Sequence, residues 1–266
     1  SPIDSSYRYV LTENGRFYYS LDNGENWTMT SSFTGPGSHY FYGSSILASH
    51  SEFGKVIIAG SGYSNSGVYI SYNHGGTFEP MDIGLPNTLV FTIAGSEDDE
   101  LVFAATEVGP YVWTLSSGEW MDISGYSAPD QTYWSVEYIE ETNTARFGTY
   151  GRGIWDFIVT GGYLYELGDY DNALKYFMDH LEGYPDDHTI YETLGHLYVR
   201  INDIPKAKEM YTKALLHDTA DIASMLELVY IEKSMGIKRI EECKKILKKC
   251  NNIDDSLAVY HGIRVL

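Results

Sequence analysis

Over the first 157 residues apolar side chains come in short runs with a period of about two, set between glycine, serine and asparagine turns. From residue 158 to 266 the period lengthens to about 3.6, and Leu, Ala, Lys and Glu replace Gly, Ser, Thr, Tyr and Trp. Side chains that alternate across a sheet give way to side chains that line one stripe of a helix. The pattern predicts a β domain over 1–157 and an all-α domain over 158–266.

The β half repeats. Tyr9–Thr12, Lys55–Ala59, Leu101–Thr106 and Arg146–Thr149 each precede a glycine turn and a second strand, at Gly15–Ser20, Gly67–Ser71, Gly109–Thr114 and Gly153–Asp156. The turn glycines lie 52, 42 and 44 residues apart. A period in the forties built of short antiparallel strands predicts propeller blades. The first unit lacks its inner strand, units at about 45–80 and 88–123 are complete, and the last, Tyr133 to Asp156, lacks its outer strand. About 3.5 blades fall short of the roughly four to eight of a closed ring, and the expectation is a piece whose N-terminal blades are absent.

The second strand of the first unit runs into Ser20-Leu-Asp22-Asn-Gly24-Glu-Asn-Trp27. The second unit repeats it as Ser71-Tyr-Asn73-His-Gly75-Gly-Thr-Phe78, and the third as a shortened Thr114–Trp120. An Asp or Asn side chain in such a turn accepts hydrogen bonds from turn amides, glycine takes the positive φ, and the aromatic is expected to pack between sheets. With these turns, residues 7–157 resemble the BNR/Asp-box propellers of the sialidase, sortilin-like and xyloglucanase-type superfamilies, and Gly148–Trp155 is similar to a sortilin-like last-blade motif. The resemblance implies that Ser20, Asp22, Gly24, Trp27, Ser71, Asn73, Gly75 and Phe78 are structural and lie away from the ligand face.

In the second half, Gly168-Asp-Tyr-x-x-Ala173-x-x-x-Phe177 recurs as Asp203-Ile-Pro-x-Ala207-x-x-x-Tyr211, with the alanines 34 residues apart. Tyr191-x-x-Leu194-Gly195-x-x-Tyr198 lies between them, and Pro185 sits at the repeat junction. Small Gly195 and Ala207 allow close helix approach, and Tyr198 and Tyr211 fill the remaining gaps. Residues 158–266 thereby resemble tetratricopeptide (TPR) repeats, about three in number, the third (222–250) carrying Glu241 where alanine belongs. By register the first TPR helix should begin at Ile154–Phe157, which already read as the last propeller strand, so either the two modules are fused directly or, the preferred expectation, an intervening segment is missing there. The fold class is thus multi-domain β + α, a partial Asp-box β-propeller followed by a TPR superhelix.

Charge narrows the partners. Eighteen Lys+Arg face 37 Asp+Glu, a formal −19, of which −14 falls in residues 1–157. Such a surface repels phosphate backbones and anionic membranes, so no nucleic acid and no membrane insertion are expected. The basic run Lys238–Lys249 is interleaved with acids and reads as an amphipathic helix. Cys243 and Cys250, seven apart on one helix, stand ~10 Å apart, too far for a disulfide. The chain starts at Ser1 without a methionine and reads as a processed or excised piece.

Candidate sites follow from register. Loops between blades and between the first and second strands of each unit carry Tyr40, Tyr42, Tyr63, Asn65, Glu107, Asp130, Trp134 and Arg152, which could stack on sugar rings and bond hydroxyls. The plainer reading of these aromatics is strand packing. Glu107 and Asp130 share that face, as glycoside hydrolysis requires of a carboxylate pair. Within residues 1–157 only Arg8, Arg16, Arg146 and Arg152 are available to clamp an acid, which argues against a sialidase. Asp98-Asp99-Glu100 reads as a solvated turn, with a calcium site as the alternative. No metal spacing, phosphate loop or nucleophile motif occurs, and no cofactor is expected. On the TPR side the groove positions are Tyr165, Glu166, Glu192, His196, Arg200, Tyr230 and Lys233, suited to a protein or peptide partner. The functional expectation is a non-enzymatic binding scaffold. The alternative is an extracellular glycan-binding or glycoside-hydrolase-like propeller, and by resemblance the location is extracellular or periplasmic, at a bacterial cell envelope.

Overall fold

A computed structural model of the chain describes residues 1–31, 43–63, 65–124, 129 and 131–234. Tyr40, Tyr42, Asp130, Cys243, Cys250, the basic run and the remainder of the third helical repeat lie outside the described residues, as does the side chain of Lys233. The chain divides into two compact units, Ser1–Thr160 with Leu167–Asp169, and Gly161–Glu166 with Tyr170–Leu266.

Among the described residues the first unit holds four antiparallel sheets. Sheet 1 contains β1 (Arg8–Leu11), β2 (Phe17–Ser20) and β3 (Thr28–Met29). Sheet 2 contains β4 (Gly43–Ala48), β5 (Val56–Gly60), β6 (Val68–Ser71) and β7 (Glu79–Pro80). Sheet 3 contains β8 (Val90–Gly95), β9 (Leu101–Thr106), β10 (Pro110–Thr114) and β11 (Trp120–Asp122). Sheet 4 contains β12 (Tyr133–Ile139), β13 (Thr144–Thr149) and β14 (Ile154–Ile158). Every sheet is a meander, and the inner strands β4, β8 and β12 stand side by side. This is the blade arrangement of a partial β-propeller.

The cores lie between sheets. Val56, Ile58 and Tyr69 of sheet 2 pack on Phe17, Tyr9, Leu11 and Tyr19 of sheet 1. The other face of sheet 2, with Ile57, Ala59, Val68 and Ile70, meets Val90, Ile93, Val102, Ala104 and Tyr111 of sheet 3. Phe103 of sheet 3 then stacks on Tyr138 at 5.4 Å and meets Phe147 edge-on at 6.4 Å in sheet 4. Because both faces are covered, β5, β6, β9 and β10 are buried at every position and apolar nearly throughout. Each fully buried Val, Ile or Phe contributes roughly 1.5–3 kcal/mol. The inner strands share one irregularity: register shifts fall between Gly43 and Ser45, Val90 and Thr92, and Tyr133 and Ser135. These equivalent β-bulges re-aim Ser44, Phe91 and Trp134.

The outer turns follow the predicted chemistry. Ser20 Oγ donates to Asp22 Oδ1 at 2.8 Å and accepts from the Gly24 amide at 2.9 Å, while Asp22 Oδ1 accepts from the Asn26 amide at 2.8 Å. These bonds hold the Asp22 carboxyl down at about 2. The Asn73 turn repeats them: the Gly75 amide donates to Ser71 Oγ at 2.9 Å and the Thr77 amide to Asn73 Oδ1 at 2.9 Å. Phe78 packs edge-on against Phe17 at 4.9 Å, pinning sheet 2 to sheet 1. Trp27 departs from the expectation. It is 43% exposed, because no described sheet lies on that side of sheet 1 to cover it. Trp120, in the shortened third copy, is buried, and its indole donates to Met81 O at 2.7 Å.

The second unit contains α1 (Gly161–Glu166), α2 (Tyr170–Gly183), α3 (His188–Arg200), α4 (Ile204–His217) and α5 (Ile222–Ser234). Asp187 caps α3 by accepting from the Thr189 amide, and Asp203 caps α4 by accepting from the Lys206 amide. The pairs α1–α2 and α3–α4 are helical hairpins, and α5 packs on α4. A Cβ at Gly195 would stand 2.5 Å from the Tyr211 ring, so only glycine permits this approach of α3 and α4. Ile154–Phe157 belong to β14, and α1, six residues long, begins at Gly161.

Candidate functional site

The helical unit gathers polar side chains on one face. Glu192, His196 and Arg200 recur every four residues along α3 and so share a stripe. Arg200 Nε donates to the Tyr165 hydroxyl of α1 at 3.1 Å. His196 Nδ1 pairs with the Tyr211 hydroxyl of α4 at 3.0 Å, and its Nε2 lies 3.6 Å from Glu192 Oε1. Burial, followed by the nearby Glu227 and Glu192 carboxylates, drives the Tyr211 phenol well above its usual range, so it stays a neutral hydrogen-bonding group. Glu166 is exposed beside Tyr165, and Tyr230 is exposed on α5 without entering the cluster. Lys233 lies on α5. Tyr211 and Glu227 were not foreseen as members. Tyr211 reads in sequence as a gap filler, which it also is, and the four-residue steps from Glu192 gave the only signal of the stripe.

On the β unit, Tyr63, Asn65, Glu107 and Arg152 lie in loops that join the second and third strands of their sheets rather than the first and second, and Trp134 lies on the inner strand β12. Tyr63 donates its hydroxyl to Glu107 Oε2 at 2.5 Å, tying the loop of sheet 2 to that of sheet 3. That bond, then burial, raises the Tyr63 phenol above its usual range. The Glu107 amide donates to Leu89 O at 3.0 Å, and its carbonyl accepts from Thr132 Oγ1 at 2.9 Å. Trp134, half exposed, lies against Phe91 at 4.3 Å and near Tyr150 at 6.4 Å. Phe91 was missed. It occupies the same bulge position as Trp134, one blade earlier, a correspondence visible only once the inner strands are aligned. Asn65 is half-buried in the Tyr63 loop, and Arg152 is exposed at the turn after Tyr150.

Asp99 corrects the reading of its turn as solvated. It is buried at φ +61° and accepts from the hydroxyls of Ser49 and Ser51 and from the Ser51 amide at 3.2 Å. Burial works against its ionised form, but those hydrogen bonds and the Lys55 charge outweigh it and hold the carboxyl below the usual range. A turn between adjacent sheets must neutralise its buried polar groups, and Asp99 does so for two serines. Among the described residues no three His, Cys, Asp or Glu side chains are placed to hold a metal ion, and no helix is long and apolar enough to cross a membrane.

Residues 188–217 match the family model described as tetratricopeptide repeat. The comparison with curated proteins gives no match. Among solved structures, an ancestral GH74 enzyme is similar at 17% identity, covering 58% of this chain and 22% of that one, with a TM-score of 0.46. The GH74 xyloglucanase from Xanthomonas campestris is similar at 14% identity, covering 59% and 27%, with a TM-score of 0.47. YCF48 bound to D1 peptide is similar at 10% identity, covering 57% and 46%, with a TM-score of 0.42. The chain spans less than half the length of each of these proteins.

Proposed function

We propose that this chain is a non-enzymatic binding scaffold whose helical face holds a protein or peptide partner. The observation that carries the reading is the stripe Glu192–His196–Arg200 with Tyr165 and Tyr211, which offers donors, acceptors and aromatic edges on rigid, close-packed helices. Extended peptides need this mixture, because their backbone groups must find partners as they leave water. The test is a pull-down with the full chain carrying His196→Ala plus Arg200→Ala, beside Lys213→Ala, whose side chain pairs with Glu209 on α4. A partner retained by wild type and Lys213→Ala but lost by the double variant supports the reading. Equal retention by all three overturns it.

For the β unit we infer membership of the BNR/Asp-box propellers, from the Ser20–Trp27 and Ser71–Phe78 turns, and with it an extracellular or periplasmic location at a bacterial cell envelope. The half-exposed Trp134 and Tyr63 beside Glu107 favour glycan binding as a second reading. Saturable binding on a glycan array that Trp134→Ala removes would support it, and no bound glycan would sink it.

A further inference from the structure

The four sheets are near copies, so a place filled in three of them and open, among the described residues, in the fourth is informative. In sheets 1, 2 and 3 the strand before the last, β2, β6 and β10 in turn, accepts an outer strand through one equivalent carbonyl. Thr30 N–H donates to Phe17 O at 3.0 Å, Met81 N–H to Val68 O at 2.9 Å, and Ile123 N–H to Pro110 O at 3.0 Å. The corresponding residue of sheet 4 is Ile154, and β14 is the edge strand of that sheet among the described residues. Ile154 and Ile158 on this edge are 70% and 60% exposed. The Trp155 indole N–H between them is buried with no acceptor among the described residues. The Trp120 indole, by contrast, reaches the carbonyl of Met81, just past an outer strand.

The cross-strand rows say what would fit. In sheet 2 the row runs Leu47, Ile57, Ile70, Glu79, and in sheet 3 Ala94, Phe103, Val112, Met121. The same row in sheet 4 is Glu137, Arg146, Asp156, where it ends among the described residues. Arg146 grips Asp156 through Nε at 2.7 Å and Nη2 at 2.8 Å, and lies 3.9 Å from Glu137. The apolar core position of the interior sheets has become an acid–base–acid row, and the next member that continues its alternation is a cation. The formal −14 of residues 1–157 draws the same sign of partner.

We propose that β14 is a strand-addition site: an extended segment of a partner protein, with Lys or Arg opposite Asp156, pairs antiparallel to Ile154–Ile158 and takes the outer-strand place. An unpaired edge offers its N–H and C=O groups as a template, main-chain bonds give affinity, and the charged row sets register. The site is separate from the helical stripe, and its failure leaves that reading standing.

The probe is a labelled peptide with the sequence of residues 118–124, which fills this place in sheet 3, carrying Met121→Lys opposite Asp156. Binding to the full chain is read by fluorescence anisotropy. The lysine peptide is expected to bind at least threefold tighter than its Met121→Glu counterpart. N-methylation at Ile123, whose amide would face Ile154 O, should weaken binding at least tenfold. N-methylation at Asp122, whose amide faces away, should change it less than twofold. No binding of the lysine peptide, or equal loss from the two methylations, would overturn strand addition. A concentration-dependent dimer that the peptide dissociates would overturn the partner as occupant and assign the edge to a second copy.

Discussion

Gly75 tests how tightly the sheets interlock. It sits at φ +85°, and a Cβ placed there would stand 2.0 Å from Phe17 Cε1 of sheet 1. Phe17 is 1% exposed and has nowhere to move. Gly75→Ala therefore incurs two costs: about 1–2 kcal/mol for a left-handed backbone with a side chain, and about 1–3 kcal/mol for overpacking a core that cannot yield. Gly118→Ala separates them, because Gly118 has φ +66° and nothing within 4 Å of its Cβ. The expected losses are about 2–5 kcal/mol for Gly75→Ala and about 1–2 kcal/mol for Gly118→Ala. All five tryptophans, Trp27, Trp113, Trp120, Trp134 and Trp155, lie in the β unit, so urea unfolding followed by their fluorescence reports that unit alone. If the two variants lose the same stability within about 0.5 kcal/mol, the interlock is not as described.

The helical counterpart is Gly195→Ala, which drives a methyl into the Tyr211 ring and should cost about 1–3 kcal/mol, read by urea unfolding at the helical circular-dichroism band. Phe103→Ala empties a side chain buried between sheets 3 and 4 and should cost about 3–5 kcal/mol by tryptophan fluorescence. Asp99→Asn should cost about 1–3 kcal/mol at neutral pH by weakening its serine bonds. The folded Asp99 carboxyl lies below its unfolded value, so its contribution is present above the unfolded pKa of about 3.9 and disappears as pH falls through the lower folded value. The gap between wild type and Asp99→Asn should close below about pH 4, and a gap constant down to pH 2 would contradict it.

The strand and helix order was legible because the apolar period changes once, near residue 157, and because Asp22, Asn73 and the 34-residue alanine spacing are local signals. What escaped depends on which sheets cover which faces. Trp27 and Phe78 hold the same place in their turns, yet one is exposed and the other half-buried against sheet 1, and only the neighbouring sheet distinguishes them. The residues around Asp99 read as a polar turn because the serines that bury it arrive from 48–50 residues away. Phe91 and Trp134 meet through bulges on different sheets, which no single strand pattern reveals. Tyr63 and Glu107 were named separately, and their 2.5 Å hydrogen bond joins them.

The central claim is that the α3 stripe holds the partner, and site-specific photo-crosslinking examines it directly. A benzoyl-phenylalanine at Val199, beside Arg200 on α3, should yield one discrete crosslinked partner when the full chain is irradiated in its native extract. The same group at Leu216, three-quarters exposed on α4, should yield none. A partner captured from position 216 and not from 199, or equally from both, would contradict the account.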